Sequence, residues 1–210
     1  MQQGLFGIEG PSWHVVYEVL FGAYRGLLPL APVMAFAPLG LIPLARAGSR
    51  RTFAIAAASI AAAYFLLNVS YHYWEGGWFV GPRHLVPGLA FAALGLASLW
   101  DFGNSAARAL LLTACLWGTG ASLVVVSTTP QPPSNIMAPM SELFWPAFRE
   151  GDLSLNHQSF VDYGANPDRL RHHPEAHAAW NLGQVAGLHG LASLLPLAII
   201  WIVVALLLLL

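Results

Sequence analysis

The sequence has little charge. Only 9% of its 210 residues are Asp, Glu, Lys or Arg, and every basic residue among them is arginine. Soluble domains carry roughly a quarter charged residues. With 57% hydrophobic residues and apolar runs of about 20 residues, the composition indicates an integral membrane protein. The net charge of −1 lacks the positive excess of nucleic-acid-binding proteins, so no nucleic-acid partner is predicted.

The sequence contains one cysteine, and its first residues do not have the pattern of a signal peptide. The one cysteine, Cys115, lies in an apolar run, which excludes an internal disulfide. A small buried core residue is the preferred interpretation of Cys115, and a reactive thiol is the alternative. The first 20 residues include Glu9 and Glu18 and lack a basic start followed by an apolar core, so no cleavable signal peptide is predicted.

Long apolar runs predict the fold class, which is all-α: a polytopic helical membrane protein with about five transmembrane helices and an irregular extracytoplasmic segment. The predicted spans are Leu27–Ala45, Thr52–Tyr71, His84–Trp100, Ala109–Ser127 and Leu191–Leu210. The first contains four prolines, so it must be kinked, or broken near its start. Before it, helical spacing from Trp13 to Tyr24 predicts a short interfacial helix that begins at Ser12.

The predicted organisation has three parts. Residues 1–127 form a membrane domain of the interfacial helix and four spans, residues 128–190 an extracytoplasmic loop segment, and residues 191–210 the final transmembrane helix. Orientation follows from arginines in short loops, which favour the cytoplasm. Three arginines in the 46–51 loop and Arg108 in the 101–108 loop place both loops inside. The loops 72–84 and 128–190 are then extracytoplasmic.

A short polar and aromatic stretch, residues 68–84, lies between two apolar runs; we call it the polar island. It contains Glu75, two histidines, His72 and His84, three glycines and two tryptophans. Glu75 is its only acid and therefore its only general-base candidate; pairing with Arg83 or exposure to water is the alternative.

Two arginines, Arg25 and Arg83, fall at the predicted outer ends of spans, against the positive-inside bias. One interpretation is that their side chains extend to water at the membrane surface. The other is an anion site, because a guanidinium matches phosphate and nearby glycines let backbone N–H groups approach the same ligand. A lipid phosphate is the natural candidate for that anion.

The 128–190 segment carries weaker signals. Residues Ser141–Glu150 are predicted to form a short helix. His173 and His177 have the spacing of metal ligands on a helix, but Pro174 between them argues against one, so a solvated loop without metal is predicted. No nucleophile triad, phosphate-binding loop, dinucleotide fingerprint or haem motif appears in the chain, and no cofactor is predicted.

The island also allows a comparison with a known family. Its residues Ser-Tyr-His-Tyr-Trp-Glu-Gly-Gly-Trp-Phe-Val-Gly-Pro-Arg-His-Leu, 70–85, resemble a motif of bacterial polytopic membrane proteins related to the GT-C glycosyltransferases, the dolichyl-phosphate-mannose protein mannosyltransferase-like proteins. Further stretches are similar to the same group in the same order, so the resemblance covers nearly the whole chain. They are Gln3–Ile8 with Pro11, Tyr24–Leu28 with Pro32, and Asn181–Gln184 with Gly187–Pro196.

The resemblance implies the C-terminal membrane portion of an enzyme that takes a sugar from a polyprenyl-phosphate donor at the outer face of the bacterial inner (plasma) membrane. Arg83 and Arg25 would contact the lipid phosphate. The other implied roles are a groove wall of aromatic residues and a group of side chains that orient hydroxyls or phosphate. The wall would be Tyr71, Tyr73, Trp74 and Trp78, and the orienting residues would be Glu75, His72 and His84.

In that family the catalytic acid lies in the first outward loop after the first span, and no such loop precedes the first predicted span here. The expectation is therefore a fragment that lacks the catalytic acid and is inactive alone. Its expected partners are membrane lipid, a polyprenyl-phosphate sugar and the N-terminal half of the same protein. The alternative is a non-catalytic membrane protein, either a structural or partner subunit or a transporter-like protein; spans without Asp, Glu or Lys disfavour the transporter.

Overall fold

The computed structural model of the protein describes residues 7–155 and 181–208. Within these ranges the chain forms nine α-helices and no strand, so the predicted all-α class is confirmed. The helices are α1 Trp13–Phe21, α2 Leu27–Leu30, α3 Ala37–Arg46, α4 Arg51–Ser70, α5 Val86–Phe102, α6 Ser105–Thr128, α7 Trp145–Glu150, α8 Leu182–Val185 and α9 Leu195–Leu208.

Four helical segments of the described chain are long and apolar enough to cross a membrane, which supports a membrane-embedded protein. They are Gly48–Ser70, Arg83–Phe102, Ser105–Thr128 and Gly190–Leu207, and each corresponds to a predicted span. Short 3₁₀ turns begin three of them, at Gly48–Arg50, Arg83–Leu85 and Gly190–Leu194.

The remaining predicted span, Leu27–Ala45, is broken. Helix α2 ends at Leu30, a 3₁₀ turn covers Pro32–Phe36, and α3 follows, so the apolar helical segment is the shorter Pro32–Arg46. Ala31 at the break has φ −136° and ψ 67°, outside the helical region. Pro32 causes this, because a proline disfavours the helical conformation of the residue before it and supplies no N–H. The predicted break near the start is confirmed.

The chain divides into two compact units, residues 1–123 and 124–210. In the first unit α3, α4 and α5 pack against one another. The α3–α5 contact is backbone to backbone: a Cβ added to Gly40 would collide with the carbonyl oxygen of Gly95, and one added to Gly95 would collide with that of Ala37. We call this contact the glycine seam. Small residues at such a crossing allow apolar helices to approach closely.

Helix α1 is amphipathic. Val19 is fully buried against Val69 and Leu85, whereas Trp13, Tyr17 and Phe21 are exposed. Ser12 occupies the N-cap position without a side-chain capping bond. The helix ends earlier than the predicted Tyr24, because the chain turns to an extended conformation at Gly22 (ψ 140°).

Helix α6 exposes Cys115, so the prediction of a buried cysteine is wrong. The apolar run around Cys115 does not require burial in protein, because a membrane-spanning helix can present apolar side chains to lipid. The same helix contacts the break in the first span: the Trp117 indole N–H donates to the carbonyl of Pro29 at 3.0 Å. That bond supplies a partner to a carbonyl beside the helix break.

The second unit contains part of the predicted loop segment. A π-helical turn, Met140–Phe144, leads into α7, which ends at Gly151 in the left-handed conformation. The predicted short helix over 141–150 is thereby confirmed. Residues 154 and 155 donate backbone hydrogen bonds to Ser127 and Thr128. His173 and His177 lie outside the described residues, and the described ranges contain no cluster of three or more potential metal ligands.

Candidate functional site

The polar island is held at one edge by the N-terminal segment. Glu9 N–H donates to the Ser70 carbonyl at 2.9 Å, and His72 N–H donates to the Gly7 carbonyl at 2.8 Å. Ile8 and Tyr71 form an isolated antiparallel bridge between these bonds. Residues far apart in sequence thus form one wall of the site.

The island itself is a series of turns that depends on glycine. Gly76, Gly77 and Gly81 have φ of 71°, 74° and 74°, a region that other residues adopt only at a cost in free energy. Gly76 N–H closes a turn on the Tyr73 carbonyl at 3.0 Å. The turn at Gly76 and Gly77 also brings both candidate arginines to one place.

Arg25 is buried, with 1% of its surface exposed. Its guanidinium donates to the carbonyls of Gly77 (3.3 Å) and Tyr24 (3.5 Å) and lies 4.3 Å from the centre of the Tyr24 ring. Its Nε has no hydrogen-bond partner, and no described carboxylate forms an ion pair with it. Burial lowers the pKa of Arg25, and interactions with Tyr24 and Glu75 offset part of that effect.

Arg83 is exposed and lies against the neighbouring glycine. A Cβ on Gly76 would be 2.8 Å from Arg83 Cγ and 3.0 Å from its Cδ and Nε, so the side chain rests directly on that residue. Within the described chain Arg83 forms no ion pair, so the Glu75–Arg83 pair considered above is not formed. The buried Arg25 therefore contacts Gly77, and the exposed Arg83 contacts the adjacent residue, Gly76.

His72 contacts the N-terminal segment. Its Nδ1 lies 3.0 Å from Glu9 Oε1, and both side chains are about half exposed, at 43% and 49%. Its ring packs edge-on against Tyr73 at a centroid distance of 4.9 Å. His72 therefore joins the N-terminal segment to the island.

The predicted aromatic wall divides into two groups. Trp74 packs against the apolar cluster of Val19, Val69 and Leu85 and meets Tyr24 edge-on at 6.3 Å. Tyr71 contacts Tyr73 and His84, with ring centroids at 6.3 and 5.2 Å. Tyr73 is exposed, and Trp78 and Glu75 are partly buried.

A cavity of about 280 Å³ lies beside the island, lined by Ile8, Leu67, Asn68, Tyr71 and His84. Two of its lining residues carry buried polar atoms without a hydrogen-bond partner, Asn68 Oδ1 and His84 Nε2. Sequence reasoning included Asn68 in the island but missed it as a site residue. The available signal was an amide at the end of an otherwise apolar predicted span, where a polar residue suggests function.

A larger cavity, about 520 Å³, lies at the loop between α3 and α4. Its lining includes Arg46 and Arg51 together with Ile42, Ala45 and Gly48. None of the side chains predicted to form the site contributes to it. The predicted residues instead gather around the glycine turn and the smaller cavity.

The arrangement offers hydrogen-bond donors, positive charge and aromatic surface. The only carboxylate in the island belongs to Glu75, and its negative charge acts on both Arg25 and His84. This set of groups fits binding and orientation of a polar ligand. Comparison of the chain with models of protein families, with curated proteins and with solved structures found no match.

Proposed function

We propose that this chain is the C-terminal membrane part of a GT-C-like glycosyltransferase, and that its polar island binds the phosphate of a polyprenyl-phosphate sugar at the outer face of the bacterial inner membrane. One observation carries the proposal: the exposed side chain of Arg83, which forms no ion pair with any described residue, rests on the same glycine turn that holds the buried Arg25. An arginine without a carboxylate partner at a membrane-spanning end is suited to an anion.

The two arginines have different roles in this proposal. Arg83 is exposed and contacts the phosphate, as the resemblance implies. Arg25 is buried, so it acts from behind the turn, where its charge adds positive potential and its bond fixes the Gly77 carbonyl. A charge in a low-dielectric environment acts over a longer distance than one in water.

The position of Arg83 also fits a lipid head group. Arg83 begins the 3₁₀ turn that leads into α5, at one end of the apolar segment Arg83–Phe102. Phosphates of lipids lie at this level of a bilayer, directly beyond its hydrocarbon core. Tyr73 is exposed nearby, as tyrosines commonly are at membrane interfaces.

The test is binding of polyprenyl phosphate to the purified 210-residue chain in lipid nanodiscs, measured by native mass spectrometry. Arg83→Ala should weaken binding by roughly 10- to 100-fold, since hydrogen bonds to charged groups contribute about 1.5–3 kcal/mol. Arg50→Ala is the matched control, because Arg50 is also an exposed arginine but belongs to the loop before α4. Equal affinities of the Arg83 variant and the unchanged chain would refute the phosphate role.

A non-catalytic role as a structural or partner subunit is the second candidate. It is favoured by the backbone contacts of Arg25 and Asn68, which hold the island through Gly77 and Trp74. In that case polyprenyl phosphate would bind no better than bulk phospholipid, and replacement of Arg83 would leave lipid binding unaltered.

A further inference from the structure

The smaller cavity is formed by three segments of the first unit. Ile8 comes from the N-terminal segment, Leu67 and Asn68 from the end of α4 with Tyr71 directly after it, and His84 from the turn before α5. Its volume of about 280 Å³ is just below the roughly 300–1,000 Å³ of pockets that enclose whole drug-sized ligands. The cavity therefore suits one small ring.

Asn68 supplies the first unused polar atom. The residue is fully buried, and its Nδ2 donates to the Trp74 carbonyl at 3.0 Å. That bond fixes the orientation of the amide, because only the NH₂ group can donate to a carbonyl. The remaining atom, Oδ1, is an acceptor without a partner. A buried polar atom left unpaired costs about 1–3 kcal/mol, so its retention beside a cavity is consistent with a bound donor.

His84 supplies the second unused polar atom, Nε2. Its ring packs edge-on against Tyr71 at an interplanar angle of 85°. Its Nε2 is buried and has no hydrogen-bond partner among the described residues. A ring nitrogen of a neutral histidine either donates or accepts a hydrogen bond, depending on the tautomer. The cavity thus has two unpaired polar atoms from two different segments, an amide oxygen that accepts and an imidazole nitrogen.

The rest of the lining restricts the ligand further. No lining residue is an acid, a lysine or an arginine, so neither a cation nor an anion finds a charged partner in the cavity. Ile8 and Leu67 offer apolar surface and Tyr71 an aromatic ring. A neutral ligand with several hydroxyl donors and an apolar C–H face has these properties, and a sugar ring is such a ligand.

We infer that this cavity binds one sugar ring, whose hydroxyl groups donate to Asn68 Oδ1 and hydrogen-bond to His84 Nε2. The inference rests on the proposed function for the source of the ring: if the island binds a lipid phosphate, the ring is the sugar of that lipid. If it does not, the same chemistry fits the end of a soluble glycan. Binding of polyprenyl-phosphate sugars and of methyl glycosides distinguishes these two sources.

The experiment compares polyprenyl phosphate with polyprenyl-phosphate mannose, glucose, galactose and arabinose, and with the corresponding methyl glycosides. Binding to the full chain in nanodiscs is measured by native mass spectrometry. At least one sugar-bearing lipid should bind more tightly than polyprenyl phosphate. His84→Asn should reduce that affinity ratio roughly tenfold, since it removes Nε2 while retaining a group at the Nδ1 position. His84→Gln, which places an amide near the Nε2 position, should recover part of the ratio.

The control is His14→Asn, the same change at an exposed histidine of α1, which should not alter the ratio. If both kinds of lipid bind but with equal affinity, or if the ratio is the same in His84→Asn, the sugar site is refuted while the phosphate site stands. If neither lipid binds but a methyl glycoside does, and His84→Asn weakens it, the cavity stands with a soluble glycan and the proposed function fails. If no probe binds, both fail.

Discussion

The glycine seam between α3 and α5 and the polar island between α4 and α5 both bring backbone into close contact, but with different consequences. At the seam, Gly40 and Gly95 lie within helices, whose backbone N–H and C=O groups pair inside each helix except at a proline such as Pro43 of α3. In the island, glycines with positive φ turn the chain without regular structure. The backbone groups of the seam form hydrogen bonds within their own helices. Those of the island form hydrogen bonds with side chains, such as Arg25 and Asn68, and with the N-terminal segment.

The two regions also differ in unpaired polar groups. Of the four buried polar side-chain atoms without a partner in the described residues, three belong to Arg25, Asn68 and His84, at or against the island. The fourth is Ser98 Oγ on α5. Unpaired buried groups cost stability, and binding sites are where proteins commonly retain such costs. We therefore infer that the seam stabilises the fold, and the unpaired groups of the island support the proposal that it binds a ligand.

The largest expected effect is at the seam. Gly95→Ala should lower the free energy of unfolding by about 3 kcal/mol, at the upper end for overpacking, because the new Cβ collides with the Ala37 carbonyl oxygen. Gly120→Ala on α6 is the matched control. No atom lies within 4 Å of its added Cβ, and alanine in a helix is favoured over glycine by roughly 0.5–1 kcal/mol.

Thermal unfolding of both variants in detergent checks this prediction. Opposite signs, a loss for Gly95→Ala and a gain for Gly120→Ala, are expected. Two gains would mean that α3 and α5 separate at little cost, and the seam would then not be the stabilising region.

A smaller effect of opposite sign is expected in the island. Burial lowers the pKa of Arg25, so the folded state disfavours its charged form, and this penalty is present at every pH below the folded-state pKa, including neutral pH. Arg25→Met should therefore retain or raise the free energy of unfolding, by about 1 kcal/mol, because an apolar side chain of similar length avoids the desolvation. The same variant should weaken polyprenyl phosphate binding.

Chemical unfolding and lipid binding are measured on the same preparation of the Arg25 variant. A stability loss above about 2 kcal/mol would identify Arg25 as a structural anchor of Gly77. The energetic contrast between the island and the seam would then disappear.

The smallest effect is expected at the edge of the island. Glu9→Gln removes the carboxylate that lies 3.0 Å from His72 Nδ1 but leaves the backbone bonds of Gly7 and Glu9 in place. Both side chains are about half exposed, so the loss should be about 0.5 kcal/mol or less and should vanish in high salt. Unfolding at low and high ionic strength measures it; a salt-independent loss above about 1 kcal/mol would show that the pair is coupled to the rest of the island.

The sequence predicts the helices well because apolar run length and proline are local signals. The second predicted span, Thr52–Tyr71, corresponds to α4, Arg51–Ser70. The break near Pro32 was also predictable, since a proline acts on its immediate neighbour. Helix α1 ended early because glycine is a poor helix former, and at Gly22 the chain leaves the helix despite the helical pattern beyond it.

The site was predictable only in part. The glycines, arginines and histidines of the island could be identified from composition, but their contacts could not. The burial of Arg25 depends on Gly77, 52 residues away, and the position of His72 depends on Glu9. The role of Asn68 depends on a cavity whose walls come from three segments. Such long-range contacts leave no periodic pattern in a single sequence.

The break at Ala31 also has a consequence for the lipid around the protein. The apolar segment Pro32–Arg46 has a length of about 25 Å at standard helical rises, whereas a bilayer hydrocarbon core is about 30 Å thick. Beside this segment the membrane must thin or the helix must draw polar groups inward, at a fraction of a kcal/mol per ångström. Membranes made of shorter acyl chains should therefore relieve the mismatch, and the protein should partition into the thinner regions of a mixed bilayer.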